Sequence, residues 1–349
     1  MQARGLVLTA PGVLSLQPFE LGPVAPGDVK VRVAGCGVCH TDVSFYSGSV
    51  RTKHPLPLVL GHEIAGTVVE AAPPHDALLG RDVIVPAVIP CGRCALCRAG
   101  HDNACLDQIM PGNDRHGGFA TEVVVPGRYL VPLGRDRGGY DLADLSVIAD
   151  AVTTPYQALV RAAVSPGDLV VVVGAGGIGT YAVQMAIARG ARVAAIDIDP
   201  AKLERLAAFA PGWTFDARES DGPAIRKRLM KESGVDSYRW KILEMSGTVP
   251  GQELAWSLLV PAATLGIIGF TMDKPSIRLS NLMALDVTAF GSWGCSPSLY
   301  PDVLNLVVSG CVTLRPFIER RPLDAGVDLL ADIAAHRDAS GRRVILTPQ

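Results

Sequence analysis

The run LVVVVGAGGIG, residues 169–179, constrains this chain more than any other stretch. Five consecutive apolar residues suit a strand buried on both faces, and glycines follow it directly. TYAVQMAIARG then has helical periodicity, and ARVAAIDID reads as a second buried strand. Strand–helix–strand with fully apolar strands means a parallel sheet covered by helices. Gly174, Gly176 and Gly179 form G-x-G-x-x-G at the strand–helix junction, with Gly177 and Ile178 inside the motif. Glycines there let backbone approach a pyrophosphate, whose charge the helix N-terminus stabilises. The alternative is a tight turn with no ligand. The second strand ends at Asp197, where a carboxylate accepts hydrogen bonds from ribose hydroxyls and repels a 2′-phosphate. The expected cofactor is therefore NAD+.

At 349 residues the chain is long for one core, and two domains are expected. Before about residue 150, VKVRVAGCGV, IAGTVVEA, RDVIVPAVI and ATEVVV alternate with turn signals, which predicts a strand-rich, barrel-like domain. KILEMSG and ATLGIIGF continue the α/β pattern. Short mixed elements close the chain: Phe317 to Arg320, a helix from Leu323 to His336, and the strand RRVILT. The uncharged run Leu254 to Met272 is broken by Pro261, Gly266 and Gly269, so it reads as a helix end, a turn and a strand, not a membrane span. A net charge of −2 gives no bias toward nucleic acid or anionic membrane. No signal-peptide layout follows Arg4, and the cytoplasm is the expected location.

Eight cysteines in such a chain argue against a disulfide framework. Cys91, Cys94, Cys97 and Cys105 follow C-x2-C-x2-C-x7-C. Four thiolates in one loop close a tetrahedral zinc site and leave no position for substrate, so this zinc is structural. An iron–sulfur cluster or unligated thiols are the alternatives. GCGVCHTDV holds two more cysteines; Cys36 is expected to pack as a small hydrophobe. Cys39 could join His62 and Glu63 of LVLGHEIAG in an open zinc site, although spacing alone does not bring them together.

GCGVCHTD, GHE, the four-cysteine lobe, GAGGIG and Asp197, in this order, resemble the zinc-dependent medium-chain alcohol dehydrogenases over essentially the whole chain. The resemblance implies an α/β chain with a GroES-like barrel catalytic domain (1–151 and 294–349) and a doubly wound Rossmann domain (152–293), with the active site in the cleft between them. It implies two zinc ions per subunit, NAD+, and a homo-oligomer, dimer or tetramer. The catalytic zinc ligands become Cys39, His62 and a third residue in VIADAVTTPYQAL, where Asp150 stands in place of the usual cysteine. Glu63 becomes either a neighbour that orients the site or a transient fourth ligand. The implied reaction passes through a zinc alkoxide and hydride transfer to NAD+, with Thr41 relaying the alcohol proton. A histidine three residues after Thr41 often finishes that relay; here the position is Ser44. His40 is expected at the pyrophosphate, Lys202 at the adenosine ribose, and Phe270 and Trp293 near the nicotinamide.

Within that family, HPLPLVLGHEI, MPGNDRHGGFA, ADAVTTPYQA, GFTMDK and GSWGC are similar to the 6-hydroxycyclohex-1-ene-1-carbonyl-CoA dehydrogenases, which oxidise a ring alcohol to the 6-oxo compound. Such a coenzyme A thioester needs phosphate contacts, for which Arg51, Lys53, His54, Arg115 and His116 are candidates. A dehydrogenase of a free secondary alcohol or polyol is the alternative, and a non-catalytic dinucleotide-binding protein is the alternative of another class.

Overall fold

Strand Asp28–Gly37 organises the barrel-like part of the computed structural model, which describes residues 2–335, 337 and 341–348. Its alternation buries Val29, Val31 and Val33 and exposes Arg32. It pairs antiparallel with Glu63–Ala71 and Glu122–Pro126, and with Arg343–Thr347 at Cys36 and Gly37. Asp82–Val85, Val131–Pro132 and Ile318–Pro322 complete seven strands. Arg4–Ala10, Val13–Pro18 and Leu58–Val59 form a smaller sheet, and Leu6, Val31, Cys36, Ile64 and Phe119 share one core. The register against Glu63–Ala71 shifts between Val33 and Gly35, just before the chain reaches Cys39 and the helix His40–Ser47. Gly37 then lies opposite Glu63.

Two compact units divide the chain: Met1–Thr153 with Gly294–Gly310 and Phe317–Gln349, and Thr154–Trp293 with Cys311–Pro316. Cys311–Pro316 packs with the second unit because Gln184 grips it, accepting from Thr313 N at 2.7 Å and donating to its carbonyl at 3.3 Å.

The second unit is a six-stranded parallel sheet. Its spatial order is Trp213–Asp216, Arg192–Asp197, Leu169–Val173, Trp240–Glu244, Thr264–Ile267 and Thr288–Gly291. Leu169–Val173 is central and buried throughout. In chain order this is 3-2-1-4-5-6, which places the glycine turn at the topological switch point. Helices Pro200–Leu206, Gly222–Glu232 and Val249–Ser257 start in the same way. Asp199, Asp221 and Thr248 accept from the amides of Ala201, Ala224 and Gly251, and a proline occupies the first or second helical position. Each such cap is worth about 1 kcal/mol.

The run Leu254 to Met272 splits into the end of helix Val249–Ser257 and strand Thr264–Ile267. Among the described residues no helix is long and apolar enough to cross a membrane. The C-terminal helix is Gly326–Ala334; His336, its expected end, lies outside the described residues.

Candidate active site

The four cysteines of the lobe converge. Cys94 Sγ lies 3.4 Å from Cys97 Sγ and 3.7 Å from Cys105 Sγ, and Cys91 Sγ lies 3.9 Å from Cys97 Sγ. A tetrahedron with metal–sulfur bonds of about 2.3 Å has edges of about 3.8 Å. The amides of Arg93 and Cys94 point at Cys91 Sγ and hold its thiol at about 6, whereas burial pushes Cys97 up to about 12. A bound cation would deprotonate all four. This lobe fits structural zinc.

A second cluster gathers Cys39, His62, Glu63 and Asp150, whose ligand atoms lie within 4.8 Å of one another. Cys39 Sγ is 3.8 Å from Asp150 Oδ2, and His62 Nε2 is 3.6 Å from the same oxygen. Those separations suit one zinc with sulfur, nitrogen and oxygen donors. Cys39 sits at the N-cap of helix His40–Ser47, and Asp150 follows the short 3-10 turn Asp144–Ala149. Behind Asp150, Tyr300 donates to the Ala149 carbonyl and Thr153 Oγ1 donates to the Asp150 carbonyl at 3.4 Å.

Asp42 joins these segments, a role sequence reasoning missed although the residue stands in GCGVCHTDV. It is fully buried. Oδ2 accepts from Cys39 N at 2.9 Å, and Oδ1 accepts from Gly61 N and faces His62 Nδ1, both at 3.1 Å. His62 Nδ1–H therefore donates to Asp42, which turns Nε2 toward the cluster, where a metal would displace the Nε2 proton and take its lone pair. Burial would lower the His62 pKa, but Asp42 and Asp150 outweigh it and leave it well above the ordinary value. Cys39 and His62 are thus oriented by one carboxylate.

Glu63 is fully buried, and burial pushes its carboxyl up to about 7 against the pull of Arg343. Thr41 Oγ1 lies 3.8 Å from Cys39 Sγ. Ser44 Oγ donates to the His40 carbonyl at 3.1 Å within its own helix turn, a geometry that lends no support to a relay role. His40 is exposed at the first position of that helix.

Of the candidate phosphate contacts, Lys53 Nζ pairs with Asp114 at 3.1 Å and Arg115 Nη1 with Asp28 at 3.2 Å. His116 Nδ1 accepts from Val59 N at 3.1 Å, and burial lowers its pKa, with the neighbouring His54 adding to the effect. His54 Nδ1 lies 2.6 Å from the Pro55 carbonyl. Arg51 is exposed.

In the second unit the glycines divide the work. Gly174 has φ +97°, and a Cβ there would lie 2.6 Å from Ser246 N; a Cβ on Gly179 would meet the Gly174 carbonyl at 1.8 Å. A Cβ on Gly176 would meet nothing within 4 Å, and Gly177 is exposed beside the half-buried Ile178. The turn therefore offers bare backbone facing open space, which fits a dinucleotide pyrophosphate. Asp197 accepts from Ala175 N at 2.8 Å and Asp199 N at 2.9 Å, and Lys202 Nζ stands 3.8 Å away. Phe270 and Trp293 are 59% and 48% exposed.

The Alcohol dehydrogenase GroES-like domain family matches residues 25–135, and the Zinc-binding dehydrogenase family matches residues 177–309. The chain is 34% identical over 314 residues to an alcohol dehydrogenase of Geobacillus stearothermophilus, covering 89% of each. It is 29% identical over 335 residues to galactitol 1-phosphate 5-dehydrogenase of Escherichia coli strain K12, covering 92% of each. The crystal structure of galactitol-1-phosphate dehydrogenase from Escherichia coli superposes with a TM-score of 0.89 at 27% identity, over 99% of this chain and 100% of that one. The chain belongs to the zinc-dependent medium-chain alcohol dehydrogenase family. It is an NAD(P)-linked zinc enzyme of the class that acts on alcohols and polyols.

Proposed function

We propose that the alcohol this dehydrogenase oxidises is the ring hydroxyl of 6-hydroxycyclohex-1-ene-1-carbonyl-CoA, giving the 6-oxo thioester with NAD+ as acceptor. The observation that carries this reading is Asp150, which joins Cys39 and His62 as the third donor within a stretch, ADAVTTPYQA, similar to that enzyme group. Cys39, His62 and Asp150 hold the catalytic zinc, and Cys91, Cys94, Cys97 and Cys105 hold the structural one. The metal supplies Lewis acidity and the nicotinamide accepts hydride. Asp42 fixes the His62 tautomer and Thr41 Oγ1 takes the alcohol proton. Gly174, Gly176 and Gly179 present backbone to the pyrophosphate, and Asp197 selects a ribose without a 2′-phosphate. Arg51, which is exposed, offers charge to the coenzyme A phosphates.

The relatives named above favour a second reading, a polyol or a free secondary alcohol. NADH formation by zinc-loaded protein on the thioester, on cyclohexanol and on galactitol 1-phosphate separates the two. Turnover of the thioester alone is expected. Turnover of only the free alcohol or the sugar-alcohol phosphate sinks the coenzyme A reading and keeps the zinc chemistry, and no NADH from any of them favours a non-catalytic binder.

The same protein is proposed to pair with a second copy through the outer edge of Thr288–Gly291. That strand ends the sheet, and Met272, Leu279 and Met283 nearby in sequence are each at least 67% exposed. A monomer in sedimentation velocity removes this part.

A further inference from the structure

Glu244 ends the strand Trp240–Glu244, which pairs with the central strand Leu169–Val173, and it is fully buried at the carboxyl edge of the parallel sheet. A carboxylate out of water needs donors. Oε1 accepts from Ser246 N at 2.8 Å, from Gly247 N at 3.1 Å and from the Ser246 hydroxyl. Burial raises the Glu244 pKa, and these donors together with the Gly269 amide oppose the shift. The Glu244 backbone carbonyl accepts from Ile268 N at 2.9 Å and Gly269 N at 3.1 Å. One residue therefore holds two turns. Its side chain folds the turn after its own strand, and its carbonyl holds the turn after Thr264–Ile267.

Close backbone packing joins these turns to a third. A Cβ on Gly269 would lie 2.2 Å from Gly247 N and 2.7 Å from Glu244 Oε2. One on Gly247, at φ +64°, would lie 2.8 Å from the Phe270 carbonyl. Ser246 packs in turn on the first glycine of the dinucleotide motif, its Cα 2.7 Å from where a Cβ on Gly174 would lie. Next to that contact, Met245 N donates to the Val173 carbonyl at 2.8 Å. The turns after Leu169–Val173, Trp240–Glu244 and Thr264–Ile267 thus pack as one body around a buried carboxylate, while Ser246, Thr248 and Phe270 remain exposed. A core by itself is better served by an apolar side chain, which has no charge to desolvate. What the carboxylate adds is a fixed direction for the amides it holds.

In the strand order 3-2-1-4-5-6 a dinucleotide lies across the carboxyl ends, with its adenosine half on the Asp197 side and its other mononucleotide on the Glu244 side. We propose that Glu244 is a positioning residue for the cofactor: by holding Ser246, Gly247 and Gly269, it sets the backbone that receives the nicotinamide mononucleotide half. The adenosine half is left to Asp197. The inference rests on the reading that the glycine turn holds a dinucleotide, and its test needs no substrate.

The test uses the zinc-loaded full chain and two probes, NADH followed by its nicotinamide fluorescence and AMP followed by calorimetry. In Glu244→Met the amides lose their acceptor, and NADH affinity falls by about tenfold or more, the scale of one lost hydrogen bond to a charged group. AMP affinity stays near the wild-type value, because AMP occupies the other half. Glu244→Gln, which keeps an acceptor oxygen for Ser246 and Gly247, recovers most of the NADH affinity. Glu244→Asp, one methylene shorter, carries the expectation of Glu244→Met if that variant does not fold. Equal losses of NADH and AMP would mean a general role in stability and overturn the proposal. So would unchanged NADH affinity in Glu244→Met, or a Glu244→Gln variant as weak as Glu244→Met. Wild-type protein that binds neither probe removes the dinucleotide reading beneath it, which separates the two failures.

Discussion

Two clusters in one unit can hold zinc, and they are built on opposite plans. The four-cysteine lobe takes all its donors from fifteen consecutive residues, whereas the Cys39 cluster spans 111 positions between Cys39 and Asp150. In the lobe every donor is a thiol, and the chain itself supplies the curvature that brings the sulfurs together. The Cys39 cluster mixes sulfur, nitrogen and oxygen, with His62 and Glu63 buried and Cys39 and Asp150 partly open. Its donors come from a helix cap, the entry to a strand and the end of a 3-10 turn. A closed site can be local because it only has to hold a metal. An open one needs walls from separate segments, so that three donors converge and the fourth side stays clear.

That contrast predicts unequal consequences of mutation. Asp150→Ala should have the largest effect, with alcohol oxidation falling beyond the about 100-fold typical of groups behind a ligand. Metal analysis should then give one zinc per chain, since the lobe is untouched. Two zinc ions with normal turnover would mean that Asp150 is not a ligand. Asp42→Asn should come next. The amide cannot hold the imidazole as the carboxylate does, and zinc affinity at the Cys39 site should drop by about 10–100-fold, read by competition with a chelator. Retention in the lobe provides the internal reference, and equal losses at both sites would break the distinction. Cys97→Ser should have the smallest effect on turnover at low temperature. It should instead lower the melting temperature by roughly 5–10 °C, as expected when a few kcal/mol of local stability is lost from a domain of this size. A large fall in kcat without a stability change would mean that the lobe takes part in the chemistry.

Legibility in the sequence followed the same division. C-x2-C-x2-C-x7-C identified the lobe because the donors are neighbours in the chain. The glycine turn was equally readable, because five buried residues, three glycines and a helix act on one another within a few turns of backbone. Spacing alone left Cys39 without partners; the resemblance supplied His62 and Asp150, and the structure then brought the donors within reach of one another. Asp42 stood in the quoted motif, yet its role depends on Gly61 and His62, about twenty residues away. Arg343 carried no local signal, because its nearest partners, Val38 and Glu63, lie roughly 300 residues back. Lys53 and Arg115 read as open phosphate contacts, whereas folding pairs each with an aspartate.

The sequence by itself determined the parallel sheet, the dinucleotide turn and the four-thiolate lobe, since each is set by periodicity or spacing over a short stretch. Tertiary structure alone decided which carboxylate orients His62, which cation compensates Glu63 and which surface charges are already paired. Charges act through space over a few ångströms, and only the folded backbone sets which of them come that close.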